Sequence, residues 1–266
     1  MADSSVKYTF VKVERDGPIT LVTINRPEVM NALHPPANQE LSDVFDAFDA
    51  DPDQWVAIIT GEGERAFSAG NDLRYQAENR GQLRIAAKGF GGLTSRFDRV
   101  KPVIAAVNGV AMGGGFEIAL ACDLIVAAET AIFALPEPRV GLAALAGGLH
   151  RLPRQIGEKA AMGMILTGRR VSAKEGETLG FVNEVTPAGE ALAGARRWAA
   201  LILECGPMSI RASIDAVQRG LAEPSLQAAI KGQNKYPAVA ALYASEDFVE
   251  GPRAFAEKRP PRWAGK

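Results

Sequence analysis

Two glutamates and a run of three glycines are the residues of this chain best suited to chemistry. Gly113-Gly114-Gly115 is followed at once by Phe116-Glu117, and a second acidic residue stands further on in Leu135-Pro136-Glu137-Pro138. Consecutive glycines let backbone N–H groups converge where a Cβ would collide with a ligand, and a helix that starts there adds its positive end. Such a corner holds developing negative charge, and Glu117, one turn inside it, is placed for proton transfer. By itself the triplet is equally a tight turn or a point of close helix packing.

Competing chemistries fit less well. Neither Gly-x-Gly-x-x-Gly nor Gly-x-x-x-x-Gly-Lys-Ser/Thr occurs here, which disfavours a nucleotide loop. Ser68, in Phe67-Ser68-Ala69, lacks the Gly-x-Ser-x-Gly elbow of a serine hydrolase. The two histidines, His34 and His150, are too isolated for a His-based metal site. Cys122 and Cys205 sit among apolar neighbours, against a disulfide framework or thiolate metal site and in favour of a reducing compartment.

The elements that must position these residues follow from patterning. Val103 to Val107 is a β-branched, apolar run that reads as a buried strand feeding the glycine corner, and Ile118 to Ala121 continues as a buried helix. Before it, Tyr8–Val13 and Ile19–Ile24 flank Arg15-Asp16-Gly17-Pro18 as a hairpin. Pro36–Asp49 is an amphipathic helix opened by proline, and Trp55–Thr60 is a strand. That strand runs on to Ala66-Phe67-Ser68-Ala69-Gly70-Asn71-Asp72, where small residues again permit close approach to a ligand. Leu73–Val100 reads either as a glycine-bearing mobile flap ending in a helix at Leu93–Val100 or as a variable surface insertion. Past the corner come a strand over Asp123–Ala127, helices over Leu149–Ile156, Glu158–Thr167 and Ser172–Leu179, and a strand over Val182–Val185. From Pro187 the pattern is helical: Ala188–Glu204, Pro207–Leu221, Leu226–Ala244 and Glu246–Lys258. An α/β core over residues 1–195 and a helical subdomain over 196–266 are the expected division.

At 266 residues the chain can bury a full core, and 30 Lys+Arg against 31 Asp+Glu leave no basic field to gather nucleic acid. Residues 1–11 contain no apolar signal segment, and no run approaches the roughly 18 apolar residues that span a bilayer. The expectation is a cytoplasmic protein that holds any anionic ligand locally.

Taken together, Ala66-Phe67-Ser68-Ala69-Gly70-Asn71-Asp72, Asn108-Gly109 through Gly113-Gly114-Gly115-Phe116-Glu117, and Pro136-Glu137 resemble the crotonase (enoyl-CoA hydratase/isomerase) superfamily. The likeness extends over nearly the whole chain, through Asn25-Arg26-Pro27, Asn31-Ala32-Leu33, Leu166-Thr167-Gly168-Arg169, Gly180-Phe181-Val182-Asn183 and the ending Ser245-Glu246-Asp247 to Arg259. Phe133 to Arg154 and the ending from Ser245 to Gly265 also look like the carnitinyl-CoA dehydratase branch.

The resemblance implies an α/β spiral of ββα repeats and a homotrimer, or dimer of trimers, built on the C-terminal helices. It implies an acyl-CoA thioester substrate, as in fatty acid β-oxidation, with no separate cofactor and no metal. The family's oxyanion donors map to the N–H groups of Asn71 and Gly114, each contributing on the order of 3 kcal/mol at the transition state. Family hydratases carry both glutamates, with Glu117 as the base toward water and Glu137 as the acid toward Cα. The apolar residues Phe133, Leu135, Pro136 and Pro138 suit a carboxyl that must hold a proton. Ala69, Asp72 and Leu145 map to substrate contacts, and Phe255 and Lys258 to the adenosine 3′-phosphate end of coenzyme A of a neighbouring subunit. Where family hydratases have Pro and Gly, this chain has Ala144 and Leu145. The Leu145 N–H is still there for the water, while its side chain narrows the pocket. Alternatives from other classes are a noncatalytic acyl-CoA or RNA binder on the same fold, and an isomerase or thioester hydrolase.

Overall fold

The computed structural model describes residues 7–79 and 86–266. Its strands are β1 (Val11–Asp16), β2 (Ile19–Ile24), β3 (Val56–Gly61), β4 (Ala66–Ser68), β5 (Val103–Val107), β6 (Val110–Met112), β7 (Leu124–Ala128), β8 (Ile132–Ala134), β9 (Val171–Ser172) and β10 (Glu184–Thr186). Its helices are α1 (Pro35–Ala50), α2 (Leu73–Glu78), α3 (Gly114–Ala121), α4 (Gly148–Ile156), α5 (Glu158–Thr167), α6 (Ala173–Leu179), α7 (Ala191–Leu203), α8 (Pro207–Gly220), α9 (Leu226–Gly232), α10 (Pro237–Tyr243) and α11 (Glu246–Ala256).

Among the described residues the strands form two sheets, ordered β1-β2-β3-β5-β7-β10 and β4-β6-β8-β9. β1 and β2 are the expected antiparallel hairpin, while β2, β3, β5, β7 and β10 run parallel. The unbroken apolar runs of β3 and β5 are explained by burial on both faces. Leu41, Val44, Phe45 and Phe48 of α1 join the core on one face, and Ala191, Ala195 and Ala199 of α7 pack on the other. α7 therefore runs through residue 195 while lying on the main sheet.

The smaller sheet does the positioning. β4, β6 and β8 are parallel neighbours, so the segments that leave their C-terminal ends emerge side by side. Those segments are Ala69-Gly70-Asn71, Gly113-Gly114 and Leu135-Pro136-Glu137. The Gly113 N–H donates to Ala134 O at 2.9 Å and carries the pairing of β6 with β8 one residue further.

Three expectations about elements change. The helix expected over Leu93–Val100 does not form. Gly91 and Gly92 take positive φ (61° and 68°), Thr94 Oγ1 accepts the Phe90 N–H at 2.8 Å, and Arg96 donates to Gly92 O, so side chains satisfy this backbone without a helix. The helix expected over Leu226–Ala244 is two, because Tyr236 before Pro237 is extended (ψ 135°). The strand expected at Val182–Val185 forms at Glu184–Thr186, Asn183 first exchanging hydrogen bonds with Ile125. The flap expected over Leu73–Val100 falls partly on residues 80–85, which lie outside the described residues. The rest of it is α2 and the hydrogen-bonded Phe90–Thr94 segment.

Candidate active site

Gly70 sets the first half of the site. It adopts φ +86°, and a Cβ there would lie 2.6 Å from Met112 O and 2.8 Å from Gly114 N. Only glycine lets the two backbones approach this closely, and the approach brings Asn71 beside the start of α3. The Leu33 N–H donates to Gly70 O at 2.7 Å and the Asp72 N–H to Leu33 O at 3.0 Å, fixing the residues on either side of Asn71. Among the described residues neither the Asn71 N–H nor the Gly114 N–H has a hydrogen-bond partner. Two unpaired donors brought together beside a helix N-terminus are groups suited to stabilising negative charge.

Glu117 lies on the first turn of α3 and is 3% exposed. Its Oε1 accepts the Gly148 N–H at 2.8 Å. Burial pushes its carboxyl up from 4.5 to about 7, and the negative charge of Glu137 adds to the rise. The Gly148 and Ala146 N–H groups and the Arg151 charge pull against it. A carboxyl in this range exchanges protons near neutral pH.

Glu137 opens the short 3-10 turn after β8. Its Oε1 comes so close to the corner that a Cβ on Gly113 (φ +53°) would lie 2.9 Å away. Its Oε2 is buried with no partner among the described residues, and burial pushes its carboxyl above the usual range. One carboxylate oriented by a backbone N–H and another with a free oxygen thus face the same glycine corner.

A cavity of about 690 Å³ adjoins this corner, walled by Met30, Ala69, Met112, Ala134 and Pro136 and by three arginines, Arg139, Arg169 and Arg170. Arg139 Nε donates to Thr167 O at 3.0 Å, and Arg169 pairs with Glu175 at 2.7 Å. An apolar channel beside guanidinium groups suits a ligand with a thin uncharged arm and an anionic head.

The remaining expected positions divide. Ala69 lines the cavity. Asp72 caps α2 by accepting the Tyr75 N–H at 3.1 Å and pairs with Arg26 at 3.0 Å, which gives it a structural task at the loop's end. Leu145 donates its N–H to Ala143 O at 2.8 Å and its side chain is 80% exposed, whereas the N–H that reaches Glu117 is that of Gly148. Phe255, 88% exposed, and Lys258, at φ 54°, lie at the end of α11 and do not line this chain's cavity. Sequence reasoning missed Gly148, Arg139 and Arg170. The adjacent Arg169-Arg170 pair after Thr167-Gly168 was the signal available for the cavity.

Comparison with known proteins bears on what this geometry does. Residues 14–266 match the enoyl-CoA hydratase/isomerase family. The chain is 44% identical over 258 residues to carnitinyl-CoA dehydratases of Salmonella enteritidis and Salmonella typhi, covering 95% of this chain and 97% of theirs. An enoyl-CoA hydratase from Mycobacterium tuberculosis superposes with a TM-score of 0.89 at 39% identity, and EchA1 from Mycobacterium marinum with 0.90 at 40%. In each case 97% of this chain and 99% of the other is covered.

Proposed function

The chain belongs to the enoyl-CoA hydratase/isomerase family, and we propose that it is a hydro-lyase that adds water reversibly to the double bond of a 2-enoyl-CoA thioester. The observation that carries this reading is the pair of carboxyls at one glycine corner, the buried Glu117 and the half-buried Glu137, with Glu117 poised near neutrality. The fold is the crotonase fold of its structural relatives.

In the proposed mechanism the thioester oxygen sits between the N–H groups of Asn71 and Gly114, which stabilise the enolate oxygen as it gains charge. Water is held between the two glutamates. Glu117 takes one proton from it as its oxygen bonds to Cβ, and Glu137 delivers a proton to Cα, giving the 3-hydroxyacyl thioester. In dehydration the roles reverse: Glu137 takes the Cα proton and Glu117 protonates the departing hydroxyl. Gly148 orients the Glu117 carboxylate throughout. The apolar cavity suits the pantetheine arm, and Arg139, Arg169 and Arg170 suit the phosphates of coenzyme A, with Phe255 and Lys258 assigned to the 3′-phosphate of a neighbouring subunit's ligand.

That last assignment requires assembly. The helices from α8 on expose Val217, Leu221, Leu226, Ile230, Phe248 and Phe255, an apolar surface that fits a trimer or a dimer of trimers. Among the described residues no helix is long and apolar enough to cross a membrane, in keeping with the cytoplasmic location we assign.

The 44% identity to carnitinyl-CoA dehydratases favours a second reading, in which the acyl group is that of carnitinyl-CoA. The two are separated by offering crotonyl-CoA and carnitinyl-CoA to the same preparation and following the conjugated enoyl thioester chromophore, lost on hydration and gained on dehydration. A kcat/KM for carnitinyl-CoA well above that for crotonyl-CoA selects the second reading. Turnover of neither, with binding of both intact, rejects hydro-lyase chemistry on these short-chain thioesters.

A further inference from the structure

Arg151 stands one turn inside α4, and its side chain runs back toward that helix's N-terminus. A Cβ on Gly147 (φ +108°) would lie 2.1 Å from Arg151 Nη1, so the guanidinium rests against the Gly147 backbone. The next residue, Gly148, gives its N–H to Glu117 Oε1. On its other side, Arg151 Nη2 donates to Thr94 O at 2.9 Å. Thr94 Oγ1 holds the Phe90 N–H at 2.8 Å, and the Phe90 ring occupies the space a Gly114 Cβ would need, at 2.4 Å from Cε1. The contacts close a ring that starts and ends on the first turn of α3: Glu117, Gly148, Arg151, Thr94, Phe90, Gly114.

The charge of Arg151 is otherwise uncommitted. Among the described residues no carboxylate lies within ion-pair distance of it, whereas its buried neighbours Arg96 and Arg99 pair with Asp46 and Asp123. We propose that Arg151 is a positioning residue for the reaction: its guanidinium locks the Gly147-Gly148 turn to the Phe90–Thr94 segment and supplies the positive charge that keeps Glu117 available as a carboxylate. This inference rests on the assignment of Glu117 as the base.

Burial and Glu137 hold the Glu117 proton on; the Gly148 and Ala146 N–H groups oppose them, and the Arg151 charge adds a smaller pull in the same direction. The remaining charges on neighbouring elements are turned elsewhere, Arg139 to Thr167 O, Arg154 to His150 O, and Lys88 to Asp98. Arg99, which repels Arg151, is itself paired with Asp123. Removing the Arg151 charge therefore raises the pH at which Glu117 ionises.

The test is the pH dependence of kcat/KM for hydration. R151M is expected to move the acid limb upward by about half a pH unit or more and to lower kcat roughly tenfold with KM little changed, while R151K, which retains the charge, returns the limb to its wild-type position. Should R151M not fold, R151Q takes its place with the same expectation. A folded R151M or R151Q whose acid limb coincides with that of wild type and R151K overturns the inference. E117Q separates the two levels: if it keeps the wild-type limb, the assignment of Glu117 fails, and if it is inactive while R151M leaves the limb in place, only the role of Arg151 fails.

Discussion

The Gly148 N–H and the Glu117 carboxylate, 31 residues apart in the chain, are joined by a 2.8 Å hydrogen bond that couples the start of α4 to the first turn of α3. A Cβ on Gly148 would press on Glu117 Cγ and Oε1 at 3.1 Å and on Leu135 Cδ1 at the same distance. Gly148→Ala should therefore tilt the carboxylate by a few tenths of an ångström and lower kcat about tenfold, with KM changed less than about threefold. Steady-state kinetics on the purified variant check this; an unchanged kcat would remove Gly148 from the mechanism.

Glu117 also has a signature in stability. Its folded carboxyl titrates at about 7 against an ordinary 4.5, so the folded state holds a proton that the unfolded state has lost. The associated stability is fully present below pH 4.5 and is lost as pH rises through about 7, an effect of about 3 kcal/mol. Glu117→Gln removes the titration, so the variant should melt above wild type at pH 8, with the difference shrinking toward pH 5. Thermal melts across that range, reading no pH-dependent difference, would contradict the buried titrating carboxyl.

The proposed oxyanion corner depends on Gly70. Alanine there would set its Cβ against Met112 O and Gly114 N, both backbone atoms, at a φ that L side chains rarely adopt. Gly70→Ala is expected to spread Asn71 from Gly114 and cut turnover about 10²- to 10³-fold in whatever fraction folds. A folded, fully active Gly70→Ala protein would dismiss these two N–H groups as the oxygen's donors.

Assembly gives a prediction that needs no assay of the acid and base. A trimer or hexamer of 28.3 kDa chains is expected by light scattering. Phe255→Ala together with Lys258→Ala should weaken acyl-CoA binding while leaving Glu117 and Glu137 in place. A monomer with full activity would reject both the assembly and the shared pocket.

Much of this was legible in the sequence because it is local. The glycine triplet, Glu117 one turn inside α3, and Pro136-Glu137 after β8 each reflect what the neighbouring residues require. The flanking parallel strands showed as unbroken apolar runs. Gly148, Thr94 and Arg151 were not legible, since their roles depend on α4 returning to α3 and on Phe90 folding beneath Gly114. Leu93–Val100 looked helical, but the left-handed Gly91 and Gly92 and the side-chain bonds of Thr94 and Arg96 satisfy that backbone differently. The break at Tyr236-Pro237 was signalled by the proline itself.

The central claim is that two glutamates divide the acid and base work of hydration. The most direct measurement is the rate of loss of the conjugated thioester of a 2-enoyl-CoA substrate with wild type, Glu117→Gln and Glu137→Gln, each shown to bind the ester. The account predicts that each substitution slows turnover about 10²- to 10⁴-fold with binding largely intact. Near wild-type turnover in either variant would contradict it.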